Sequence, residues 1–101
     1  SVLSWVEDQL IDTSEYSRLF ITAHCPPTDN MFFGENYVTR YKNILIDYVV
    51  DLSIHGHWHS FGIYDFYGDG SSYLTCGATM NRSFCLVDVS DESIEVEEVK
   101  F

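Results

Sequence analysis

Apolar positions along this chain change their period as it proceeds. In residues 3–15, Leu3, Val6 and Leu10 recur at i, i+3 and i+7, the stripe of an amphipathic helix. Ser4 and Glu7 fit a capping box at its start, where each side chain would satisfy a first-turn amide. "RLFITAH", 18–24, is a continuous apolar run ending on a polar residue, which predicts a strand buried on both faces. Helical spacing returns over 38–49 with Val38, Tyr41, Leu45 and Tyr48. "VDLSIH", 50–55, reads as another short buried strand. Four strand-like segments follow: "FGIYDFY", "SSYLTC", "SFCLVDV" and "SIEVEEV". The last two alternate apolar with polar. "YGDG" and "SDES" separate neighbours as hairpin turns do.

The order is helix, strand, helix, strand, then four strands, so the class is mixed α/β with a C-terminal antiparallel meander. The two inner strands should be parallel neighbours joined by a right-handed crossover through the second helix. Their carboxyl ends then lie side by side, at the edge where open α/β sheets build sites. Residues 25–37 form the loop after the first strand. Pro26 and Pro27 cannot donate to a ladder, and Pro26 keeps Cys25 out of the helical region. Phe32 and Phe33 in that loop either tuck back onto the core or line a binding surface.

That topology gives the histidines a meaning. Of the four, His55, His57 and His59 fall in "SIHGHWHSF", and His24 ends the first strand in "FITAHCPP". All four converge on one sheet edge from two segments. Neutral imidazole is the commonest protein ligand for transition metals. His57 and His59, at i and i+2, would project to one side of an extended turn. Gly56 would let the backbone take a positive φ close to an ion. The bland alternative is a cluster of core or surface histidines. A two-metal hydrolytic centre also needs anionic ligands, and Asp29, Asp51 and Asp65 are the acids near. Asp51 begins a strand, far from its carboxyl end, and is a poor candidate.

Composition narrows the partners. Sixteen acids against five Lys and Arg give a net charge of −11. Such a field repels phosphate backbones, so nucleic acid is not an expected partner unless cations bridge the contact. Hydrophobic residues make up 46% of the 101, too many for a disordered chain. No apolar run is long enough for a membrane span. The N-terminus has no signal-peptide pattern and no initiator Met, so processing or truncation is expected. Cys25, Cys76 and Cys85 have no zinc-finger spacing, and an odd count argues against a disulfide scaffold. Reduced thiols and a cytoplasmic location are the expectation. Cys25 follows His24, but adjacent strand residues point to opposite faces, so the two should diverge.

"VDLSIHGHWH" resembles the GHxH motif of the calcineurin-like metallophosphoesterases, and "LFITAHCPP" resembles the strand-end histidine segment that precedes it. The helix containing "WVEDQL" and the segment "CGATMNRSFCLVDV" match that family's layout on either side. The resemblance spans nearly the whole chain but only the C-terminal half of the family's domain. It implies one half of a four-layer α/β/β/α sandwich over residues 1–101. The family's DxH, GDxxD and GNH motifs do not occur. With them are missing the bridging aspartate, the Asn ligand and the proton-donating histidine.

Carried over by motif, His24 and His57 would ligate one divalent metal and His59 the other, the pair being Mn, Fe or Zn. His55 matches no obligatory ligand and is assigned a supporting role. Trp58 fills the variable position and either walls the substrate pocket or packs. Asn81 lies at a strand end and turn within reach of a substrate. The family activity implied is hydrolysis of phosphomonoesters or phosphodiesters. For this chain alone the expectation is partial or no metal, no turnover, and self-association through the sheet face that a missing N-terminal half would cover. Two other readings stand beside it: a catalytically silent protein-binding scaffold, and a small mononuclear metal-binding domain.

Overall fold

The computed structural model describes residues 2–27, 33–64 and 72–101. Among them the elements run α1 (Val2–Leu10), β1 (Phe20–Ala23), α2 (Glu35–Asp47), β2 (Leu52–His55), β3 (Gly62–Tyr64) and β4 (Ser72–Thr75). A 3₁₀ turn (Thr79–Asn81) then leads to β5 (Ser83–Val89) and β6 (Ile94–Lys100). The class is the expected mixed α/β one. One sheet has the order β1-β2-β4-β3, and β5 and β6 form a second.

β1 and β2 are parallel, with Phe20 opposite Leu52 and Ala23 opposite His55. β4 pairs with the other side of β2, also parallel, so β2 is central. β3 returns antiparallel along β4. The four C-terminal strands therefore form two hairpins, β3–β4 and β5–β6, with the ladder interrupted at the 3₁₀ turn. Arg82 closes that turn at φ 60°, a left-handed conformation that redirects the chain.

The helices cover one face of the larger sheet. Leu3 and Leu10 of α1 and Tyr41, Ile44 and Leu45 of α2 bury against Tyr73 of β4, with Ile21 of β1 partly buried beside them. The helical period of the sequence is thus the core face, as expected.

Four details differ from the sequence reading. α1 ends at Leu10, where the Thr13 hydroxyl donates to the Leu10 carbonyl at 2.8 Å and turns the chain out. Ser4 and Glu7 lie inside the helix and form no capping box; both bond the Arg40 guanidinium, at 2.9 and 3.0 Å, which ties α1 to α2. α2 begins at Glu35, just after Gly34 at φ 84°. Finally, β1 is mostly exposed, with Phe20 40% accessible, because it lies at a sheet edge.

Asp51 has a structural task. Its carboxylate accepts from the Leu19 amide at 2.8 Å and pairs with Arg18 at 3.3 Å. Arg18 also donates to the Ser90 carbonyl at 2.7 Å, linking the first sheet to the β5–β6 hairpin. Asp29, Phe32, Asp65 and the "YGDG" turn lie outside the described residues.

Candidate metal-binding edge

Parallel pairing brings the ends of β1 and β2 together. Beyond the strands the Gly56 amide donates to the His24 carbonyl at 2.9 Å, carrying the register one residue further. The His24 and His57 rings then meet edge to face, with centroids 5.3 Å apart and planes at 87°.

The turn that presents His57 is not extended. The Trp58 amide donates to the Gly56 carbonyl at 2.8 Å, closing a three-residue turn around His57. His57 has φ 68° and His59 φ 58°. Both are left-handed, a region costly for side chains with a Cβ and concentrated at functional sites. Gly56 was the residue expected to take a positive φ, and it does not. Its part is close approach: a Cβ there would stand 3.7 Å from His24 Nδ1, an ordinary contact.

His55 is separate from this exposed pair. It is buried, 2% accessible, on the helix-facing side of β2. Its Nδ1 is 2.9 Å from the Ala23 carbonyl, which can only accept, so Nδ1 carries the proton. Nε2 of the neutral ring then accepts from the Ser53 hydroxyl. Ser53 in turn accepts from Tyr41 Oη at 2.6 Å. The chain Tyr41–Ser53–His55–Ala23 is directional and joins α2 to the end of β1, one residue from His24. Burial holds His55 down at about 4 despite the Ala23 hydrogen bond, so the ring stays neutral. Burial pushes the Tyr41 hydroxyl well above its ordinary range, against the Ser53 hydrogen bond.

The remaining candidates sit apart. His59 is exposed, Trp58 is 37% accessible, and Asn81 is exposed on the 3₁₀ turn with its amide bonded to the Ala78 carbonyl at 2.9 Å. Among the described residues no group of three or more His, Cys, Asp or Glu is arranged to hold a metal ion. The His24–His57 pair fits a metal only as part of a donor set completed elsewhere.

An apolar groove of about 540 Å³ runs along β1 between the helices, lined by Trp5, Phe20, Phe33 and Tyr37 among others. Phe33 stacks on Tyr37 at 4.7 Å, so it both folds back and borders the groove. Cys25 also lines it, and so diverges from the His24–His57 pair. The sequence reading missed the groove. Its signal was the pair Val2 and Trp5, which widens the apolar side of α1 beyond the Leu3–Val6–Leu10 stripe; all five residues line the groove.

No family model matches the chain, and no curated protein does. Among solved structures it is similar to wild-type Vps29 from Entamoeba histolytica, crystallised as a complex with zinc ion. The identity is 19% and the TM-score 0.44, covering 61% of this chain and 46% of that one. The chain thus spans less than half the length of that protein.

Proposed function

We propose that this chain is the histidine-bearing part of a metal-dependent phosphoesterase acting on phosphomonoesters or phosphodiesters. The observation that supports it is the His24–His57 pair: two imidazoles from adjacent parallel strand ends, one held in a left-handed turn. His24 and His57 are assigned to one divalent metal, with His59 left for a second once further donors join. A bound metal supplies charge to a phosphoryl group and a hydroxide nucleophile. The residues here contribute neutral donors, an anchored strand end and the wall at Trp58. Phosphate esters are the substrate class, and the complementary half is assigned to the open β1 edge and its groove.

Titration of the chain with Mn, Zn or Co tests the donor assignment. Weak stoichiometric binding that is lost in both His24→Ala and His57→Ala is the expected result. Binding unchanged by both substitutions overturns it. The chain alone should not hydrolyse an aryl phosphate; turnover abolished by His57→Ala would contradict its description as an incomplete site. A second reading, a silent scaffold, is favoured by the failure of three donors to converge among the described residues. It predicts no metal binding and unchanged partner capture in His57→Ala.

A further inference from the structure

His24 is exposed, so burial of its own side chain does little to fix it beside His57. The peptide groups on either side do more. A planar peptide leaves φ and ψ as the soft torsions of a residue, so holding both neighbouring planes sets where its side chain starts. The plane before His24 carries the Ala23 carbonyl, which accepts from His55 Nδ1 at 2.9 Å. The plane after it carries the His24 carbonyl, which accepts from the Gly56 amide at 2.9 Å. The second clamp continues the strand pairing. The first comes from a side chain, and it needs the proton on Nδ1.

The surroundings of His55 hold that tautomer. Its ring lies 4.7 Å from the Tyr73 ring at a tilt of 30°, and 6.3 Å from the Tyr41 ring at 72°. At 2% exposure it is boxed in. Its Nε2 accepts from the Ser53 hydroxyl, and Tyr41 Oη stands 2.6 Å from Ser53 Oγ. Ser53 has no accessible surface and Tyr41 has 2%. Apolar residues at these three positions would fill a core without the desolvation of three polar groups. The polar solution adds a directed N–H aimed at the peptide of His24.

We propose that His55, held by Ser53 and Tyr41, is a positioning residue: through the Ala23 carbonyl it fixes the His24 ring against His57. It touches neither ring of that pair and acts through the backbone of β1. The consequence is a preformed pair of imidazoles, which tightens metal binding by sparing the cost of ordering an exposed side chain. That consequence rests on the assignment of His24 and His57 as metal donors. The positioning itself does not.

The test is NMR of the metal-free chain with nitrogen-labelled histidine, followed by titration with zinc ion. Long-range proton–nitrogen correlations report which ring nitrogen of His55 carries the proton, and ring-to-ring cross-peaks report the contact of His24 with His57. The unsubstituted chain should show the Nδ1 proton and the ring contact. His55→Leu removes the donor and should lose the contact, with zinc bound about tenfold more weakly. His55→Asn places an amide N–H near the position of Nδ1 and should keep both. Leu10→Ala weakens the core away from the relay and should leave both unchanged. A proton on Nε2 of His55 in the unsubstituted chain overturns the proposal, whether or not the variants fold. So does a ring contact that survives His55→Leu, or one lost equally in Leu10→Ala. Absence of zinc binding by the unsubstituted chain refutes the donor assignment instead, and the ring contact still decides the positioning.

Discussion

β1 and β2 are neighbours in one sheet, each four residues long, each leading into the histidine edge. β2 is flanked on both sides, and Leu52 and Ser53 have no accessible surface. Among the described residues β1 has one hydrogen-bonded neighbour, and Phe20 stands 40% accessible. Each run looks apolar in sequence, yet the same pattern is a core in one place and an uncovered edge in the other. Apolar β-propensity states that a surface suits burial; it does not state what buries it.

The largest test of that contrast is truncation. Leu52→Ala should cost about 3 kcal/mol, and Phe20→Ala about 1 kcal/mol, in urea unfolding. Equal costs would mean that β1 is covered in solution, by another copy or by a partner. Next comes acid. His55 is held neutral at about 4, below its ordinary 6.5, so the unfolded chain takes up this proton first. Its contribution is therefore present above pH 6.5 and is lost as pH falls from 6.5 towards 4, by about 3 kcal/mol. The stability profile of His55→Gln should be flatter than the parent's over that window, and parallel profiles would show that His55 does not titrate this way. The carboxylates are common to both proteins and drop out of the difference.

Smaller effects separate the buried relay from the exposed turn. Ser53→Ala leaves the Tyr41 hydroxyl and the His55 ring without their shared partner and should cost about 1–2 kcal/mol. Adding Tyr41→Phe should cost less in that background than alone, which a double-mutant cycle measures. At the turn, Gly56→Ala should change stability by less than about 0.5 kcal/mol, because the added Cβ meets only an ordinary contact. His57→Gly should instead gain about 0.5–1 kcal/mol by relieving a left-handed backbone. A loss on His57→Gly would mean that the ring's contact with His24 outweighs the strain.

The sequence exposed much of this arrangement and hid the rest for identifiable reasons. The helical stripe of Val38, Tyr41 and Leu45, and the parallel pairing that joins His24 to the GHxH turn, follow from local periods and short connections. The bounds of β5 match the "SFCLVDV" run. The end of α1 was hidden because one hydroxyl at Thr13 decides it. Ser4 and Glu7 fitted a capping pattern but are taken by Arg40, 33 residues or more away. The backbone of His57 and His59 was hidden because propensity assigns positive φ to glycine, and here it falls on the ligand candidates instead. The Tyr41–Ser53–His55 relay depends on a register that periodicity does not number.

The two ends of the β1–β2 pair are both locked. At the base the Asp51 amide bonds the Leu19 carbonyl at 2.9 Å and the Leu19 amide bonds the Asp51 carboxylate; at the top Gly56 bonds His24. Amide protons inside this frame should exchange with solvent only through global opening, whereas those facing the free side of β1 should exchange through local fluctuation. A single four-residue strand would then keep two clocks, and a bound strand on its free side would set them to the same time.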